Sequence, residues 1–252
     1  MRTPMLACFA GLGLAVVSVA GAAFAAERQP CEIPGYLLFG GNELNRVRAT
    51  VTKDHRLTIA VVGTGSSILA GPDGPPSAYP ARLEAALKQR LPSVAVKVVT
   101  LVRTRQTTED LVQGMGKLLI DEKPDLVVWQ TGTVDAIRRI DPDSFRAALD
   151  DGVETLNKGG ADVILMNMQY SPRTETMIAP GPYADAMRVV AQQHEVPLFD
   201  RLSIMRHWSD TGAFDLYATG RDNVLAHRVH DCIGRGIASL IIDAAHLQKA
   251  GQ

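Results

Sequence analysis

The sequence predicts an α/β fold, a three-layer α/β/α sandwich around a five-stranded parallel sheet. Two observations carry that expectation. From Leu57 onward, short apolar runs alternate with longer amphipathic segments, and the runs are almost continuously apolar, as strands covered on both faces must be. The first run then breaks into Gly63-Thr64-Gly65-Ser66-Ser67. Small residues there place a tight turn and two hydroxyls at the carboxyl end of a strand, where open α/β sheets bind ligands.

The elements follow in order. Leu57 to Val62 is the first strand. A Gly/Pro loop from Gly71 to Ser77 leads to a helix from about Ala78 to Arg90, with Leu83, Ala86, Leu87 and Leu91 at helical spacing. Val94 to Leu101 is the second strand. Thr107 to Ile120 is a helix, capped by Thr107 or Thr108, with Glu109 and Asp110 in its first turn where the helix dipole favours acids. Leu126 to Gln130 is the third strand. Pro142 to Asn157 is a helix closed by Gly159-Gly160. Val163 to Met168 is the fourth strand, Tyr183 to Gln193 a helix, and Val196 to Phe199 a short fifth strand. A short helix from Arg201 to Trp208 and a last helix from about Val229 to Leu247 complete the pattern. Right-handed crossovers are expected throughout. No repeat or composition shift divides residues 57–252, which read as one domain. Residues 26–56 read as an N-terminal arm, punctuated by Pro30, Pro34 and Gly40-Gly41, with a short helix possible at Asn42 to Val51.

The 252 residues are 46% hydrophobic and 21% charged with a formal net charge of −1, which excludes a chain built to hold nucleic acid by charge. Residues 1–25 read as a secretory signal peptide. Arg2 precedes an uncharged run from Leu6 to Phe24, and Ala23-Phe24-Ala25 offers a small-residue cleavage site before Ala26. A retained anchor is the competing reading of that run. No later segment is apolar for long enough to span a bilayer. Removal of Cys8 with the signal leaves Cys31 and Cys232 in an oxidising compartment, the periplasm or the exterior. They are expected either to pair, tying the arm to the last helix, or to sit as two buried thiols.

The glycine loop is not a phosphate cradle, because no Gly-Lys-Ser/Thr follows it. It is a poor dinucleotide fingerprint, because Ile68 stands at the third glycine and the second strand ends Thr100-Leu101-Val102 with no acid for a ribose. His227-x-x-His230 lacks an acidic or cysteine partner set, so no metal ligand is assigned. No cofactor is expected.

Gly65-Ser66-Ser67-Ile68-Leu69-Ala70-Gly71 resembles the first block of the SGNH/GDSL hydrolases, G-D-S-x-x-x-G. Ala78 to Glu84, Trp129 to Thr133, Met166 to Arg173 and Met205 to Trp208 are similar to a bacterial, exported branch of that family. The resemblance covers about residues 57–247. It implies a flavodoxin-like SGNH hydrolase fold and hydrolysis of an ester, of a small molecule, a carbohydrate or a lipid, by acyl transfer to Ser67. The Ser67 N–H is then one oxyanion donor.

The chain departs from the family pattern at the loops that face Ser67. Where the second block supplies a glycine, it reads Leu101-Val102-Arg103-Thr104-Arg105-Gln106. Where the third reads G-x-N-D, it has Gly132-Thr133-Val134-Asp135. The stretch Asp222 to His230 lacks D-x-x-H. His230 is the candidate base, oriented by Asp222, by Asp215 or by a backbone carbonyl. Arg103, Arg105, Gln106 and Gln130 are candidate oxyanion or substrate donors, and Gly65, Ser66, Gly132 and Asp135 shape the same cleft. Each has a plainer role: a turn for Ser66 and Ser67, a solvated rim for Arg103 and Arg105, a cap for Asp135. One missing oxyanion donor costs about 10²–10³ in rate. The alternative is therefore a catalytically impaired module that binds an acylated carbohydrate or an anionic ligand through Arg103 and Arg105.

Overall fold

The computed structural model describes residues 31–39, 42–218 and 223–247. The expected signal peptide and Asp222 lie outside the described residues. The strands are β1 (Leu38–Phe39), β2 (Arg56–Gly63), β3 (Ala95–Val102), β4 (Leu126–Gln130), β5 (Asp162–Met166) and β6 (Leu198–Phe199). They form one sheet in the order β1-β6-β5-β4-β2-β3. β2 to β6 are parallel, as the apolar runs require. All five residues of β4 are buried, because it runs in the middle of the sheet between β2 and β5. Helices Tyr79–Arg90 and Val224–Ala244 pack together on one side. Thr108–Val112, Met115–Glu122 and Gly181–Gln193 gather around Pro142–Lys158 on the other.

The structure adds a sixth strand. β1, from the arm, pairs antiparallel with β6, Leu38 opposite Phe199. Two residues with a partner 160 positions away leave no local pattern to read. The arm is held further by Trp208, whose Nε1–H donates to the carbonyl of Glu32 at 2.9 Å, and by a Cys31–Cys232 disulfide. The short helix of the arm runs Asn45–Asp54.

Other boundaries move for visible reasons. The expected Thr107–Ile120 helix is two, Thr108–Val112 and Met115–Glu122, parted at Gln113-Gly114. The last helix starts at Val224, more than a turn before the expected Val229, and ends at Ala244, with His246 left-handed at φ 51°. That places His227 and His230 inside the helix rather than at its start. β5 stops at Met166, so Asn167 opens a loop. Its Nδ2 donates to Asp200 at 2.7 Å and its Oδ1 accepts the Leu202 N–H at 2.9 Å, joining the carboxyl ends of β5 and β6. Among the described residues no helix is long and apolar enough to cross a membrane.

Candidate active site

The site grows from the end of β2. After Gly63, Thr64 is extended and Gly65–Ser67 make one 3₁₀ turn, closed by the Ser67 N–H to the Thr64 carbonyl at 2.9 Å. That bond occupies the N–H expected to serve as an oxyanion donor. The two serines then diverge. Ser67 is fully buried. Its Oγ donates to Gln130 Oε1 at 3.0 Å and lies 2.9 Å from the Tyr79 hydroxyl. Ser66 is half-buried and lines the main cavity.

Gln130, the last residue of β4, holds this loop. Its Oε1 accepts the Thr64 N–H and the Thr64 hydroxyl, both at 3.0 Å, together with Ser67 Oγ. A backbone N–H can only donate, so Thr64 fixes which end of the amide is the oxygen. Gln130 Nε2 is left buried without a partner among the described residues. The close approach requires glycine at position 63. A Cβ there would stand 2.2 Å from Ser67 Oγ.

Arg201, the first residue after β6 and Asp200, lies behind this turn and is fully buried. Its Nη1 donates to the Ser66 carbonyl and to Ser66 Oγ, each at 3.2 Å, and its Nη2 donates to Gln169 Oε1 at 3.2 Å. Its Nε has no partner among the described residues, and the guanidinium sits over the Tyr79 ring, 5.8 Å from the centroid. Among the described residues no carboxylate pairs with it. The adjacent Asp200 is committed to Asn167, to the Ser203 N–H at 3.0 Å and to Arg188 at 2.8 Å. Burial works to raise the Asp200 carboxyl, but those donors hold it below the usual range. Burial lowers Arg201 to about 10, which leaves it charged at neutral pH.

His230 reaches the cavity from the second turn of Val224–Ala244. Its Nδ1 accepts the backbone N–H of Tyr79 at 3.0 Å. Burial first, then the charges of Arg201 and His227, lowers it to about 3, so the ring is neutral. A neutral imidazole that accepts at Nδ1 carries its proton on Nε2 and is a donor there. Among the described residues no hydrogen bond joins His230 to Ser66 or Ser67, and none joins it to an acid. Asp215, one candidate orienter, accepts the Tyr217 N–H at 3.1 Å.

The cavity has a volume of about 580 Å³. Ser66, Thr133, Gln169 and His230 supply polar groups, and Ile68, Leu69, Val134, Ile137, Met177 and Ile178 supply an apolar wall. Gly132, left-handed at φ 94°, opens the short helix Thr133–Arg138 that carries Thr133 and Val134 there. Thr133 Oγ1 is buried and unpartnered among the described residues. Asp135 lies behind, accepting the Thr108 N–H at 2.9 Å and the Thr108 hydroxyl at 3.0 Å; burial raises its carboxyl. A second volume of about 460 Å³ is polar and lies at Asn42, Asp162 and Glu195, toward the opposite ends of the strands.

Arg103, Arg105 and Gln106 do not line the main cavity. Arg103 and Gln106 border a separate 150 Å³ hollow with Val62 and Met115, and both arginines are exposed. The Arg103 N–H extends the ladder to the Gly63 carbonyl at 2.9 Å, and left-handed Arg105 offers its carbonyl to Arg138 at 2.7 Å. Thr104 is the residue of this loop that approaches Gly65. The residues the sequence reading passed over are Arg201, Tyr79, Thr133 and Gln169. Arg201 carried a usable signal, a cation directly after a short apolar strand, at the edge where ligands bind.

The model of the non-GDSL lipase-like family matches residues 30–247. No curated protein matches the chain. Among solved structures, TesA is similar with a TM-score of 0.54 at 22% identity, covering 73% of this chain and 99% of TesA. LAE5, an α/β hydrolase enzyme from the metagenome of Lake Arreo, Spain, aligns at 0.56 and 22%, covering 75% and 95%. A mutant of Axe2, an acetylxylan esterase from Geobacillus stearothermophilus, aligns at 0.57 and 19%, covering 76% and 95%. These likenesses establish the fold.

Proposed function

Because the chain belongs to the non-GDSL lipase-like family, we propose that it is an exported ester hydrolase with a divergent site in which Ser66 takes the attacking role. The observation that carries this reading is the position of Ser66 Oγ, in the wall of the 580 Å³ cavity with Arg201 Nη1 at 3.2 Å. A guanidinium there stabilises negative charge as it develops on the attacking oxygen. The Thr133 hydroxyl and the His230 Nε2–H stand in for the donors absent from the second and third loops. The acyl chain lies along Ile68, Val134, Ile137 and Ile178. The Ser66 Oγ–acyl bond forms, the ester C–O bond breaks, and the serine proton goes to the departing alcohol. Water then releases the acyl group. The apolar wall favours longer acyl esters over acetate. The signal-like N-terminus and the disulfide support a periplasmic or secreted location.

One observation favours a second reading. The Tyr79 N–H on His230 Nδ1 leaves neither serine with a base among the described residues, and a serine without a base is a weak nucleophile. On that reading the cavity binds an acylated carbohydrate or an anionic ligand without turnover. Hydrolysis of p-nitrophenyl decanoate and acetate by the wild type and by Ser66→Ala separates the two. The hydrolase reading expects turnover that is faster on decanoate and falls by about 10² or more in the variant, the scale of a lost catalytic group. Saturable decanoate-ester binding without turnover gives the site to the second reading.

A further inference from the structure

Arg201 is a fully buried cation whose nearest polar partners are neutral: Ser66, Gln169 and the Tyr79 ring. Charges are seldom buried unless they are paired. Two of the residues it holds, Ser66 and Gln169, line the cavity. Three donor-bearing atoms, Arg201 Nε, Gln130 Nε2 and Thr133 Oγ1, are buried without partners among the described residues. Every one of these can donate a hydrogen bond to an oxygen, and among the described residues no acid pairs with them.

We propose that the cavity recognises an amphiphile with an anionic oxygen head group, a carboxylate or a phosphate on an apolar tail. Arg201 is its counter-ion and Gln169 Oε1 is the neutral acceptor that the head group displaces. Ser66 Oγ already accepts from Arg201, so its hydroxyl turns from Gln130 Oε1, 3.3 Å away, to donate to the head group. Gln130 Oε1 keeps the Thr64 N–H, the Thr64 hydroxyl and Ser67 Oγ. The tail lies along the Ile68, Val134, Ile137 and Ile178 wall. The inference rests on the acyl-cavity reading above but not on turnover.

The test is calorimetric titration of the full chain with decanoate, decyl phosphate and decanol. Tight binding of one or both anions, with decanol at least tenfold weaker, is the expected result, and the stronger anion identifies the head group. Gln169→Glu supplies an internal counter-ion at a half-exposed position. It is expected to abolish the preference for anions over decanol, read as the ratio of their affinities. Arg201→Gln is expected to do the same where it folds. Equal affinity for decanol and the anions overturns the inference, as does an anion preference that survives Gln169→Glu. Hydrolysis is read separately. Anion binding without turnover removes the hydrolase reading alone. Turnover without anion preference removes this inference alone.

Discussion

The backbone N–H of Tyr79 donates to Nδ1 of His230 at 3.0 Å. In a serine hydrolase triad that nitrogen carries a proton and donates a hydrogen bond from it to an acid, which leaves Nε2 free to act as base. Here the relation is reversed, and Nε2 carries the proton. Any hydrolysis at this site is therefore expected to show no acidic limb near the ordinary imidazole value of about 6.5. A pH–rate profile for p-nitrophenyl decanoate between pH 5 and 8 checks this, and a limb that vanishes in His230→Gln contradicts the assignment.

Burial makes His230 a stability element as well. Its folded value is lowered to about 3 by burial, against an unfolded value near 6.5. Between those values the unfolded chain takes up a proton that the native ring refuses. The stability is therefore fully present above pH 6.5 and is lost as the pH falls toward 3, by at most ~1.4 kcal/mol per unit. Urea unfolding of the wild type and of His230→Gln at pH 7 and pH 5 should diverge, the wild type losing about 1–2 kcal/mol more over the interval.

Gly63 is set against Ser67, not against a turn. A methyl group at Gly63 would stand 2.2 Å from Ser67 Oγ and 3.3 Å from Gln130 Oε1. Gly63→Ala is expected to cost about 1–3 kcal/mol, the usual scale of overpacking. It should also spoil the Thr64 and Ser67 bonds to Gln130. Unfolding midpoints of Gly63→Ala, compared with Gly35→Ala, where the added Cβ meets nothing, give the measurement.

The Cys31–Cys232 bond closes a span of 201 residues between the arm and the last helix. The chain-entropy account assigns such a loop about 5 kcal/mol. Reduction, or Cys232→Ser, is expected to lower the unfolding free energy by up to that amount and to free the arm strand from β6. Hydrogen exchange at Leu38 and Phe39 should rise with it.

Much of the architecture was legible because a parallel sheet writes itself as apolar runs. The third strand, Leu126 to Gln130, is found at its expected limits. The disulfide was readable as one of two states of a remaining pair, and the pair is joined. β1 was not legible, because two residues pairing with Leu198 and Phe199 have no periodicity of their own. The site was legible only as a place. The sequence located the Gly63–Ser67 turn at the edge of the sheet, but it is the one-residue geometry of a 3₁₀ turn that buries Ser67 and presents Ser66. The loop after the second strand pointed to Arg103 and Arg105. The buried guanidinium is Arg201, whose importance comes from what surrounds it in space and from the acid, Asp200, that is drawn elsewhere.

The most direct test is to treat the folded protein with a long-chain alkyl fluorophosphonate and map the modified peptide by mass spectrometry. A single adduct on Ser66 is expected, lost in Ser66→Ala and retained in Ser67→Ala. An adduct on Ser67, or labelling that survives Ser66→Ala, would contradict it.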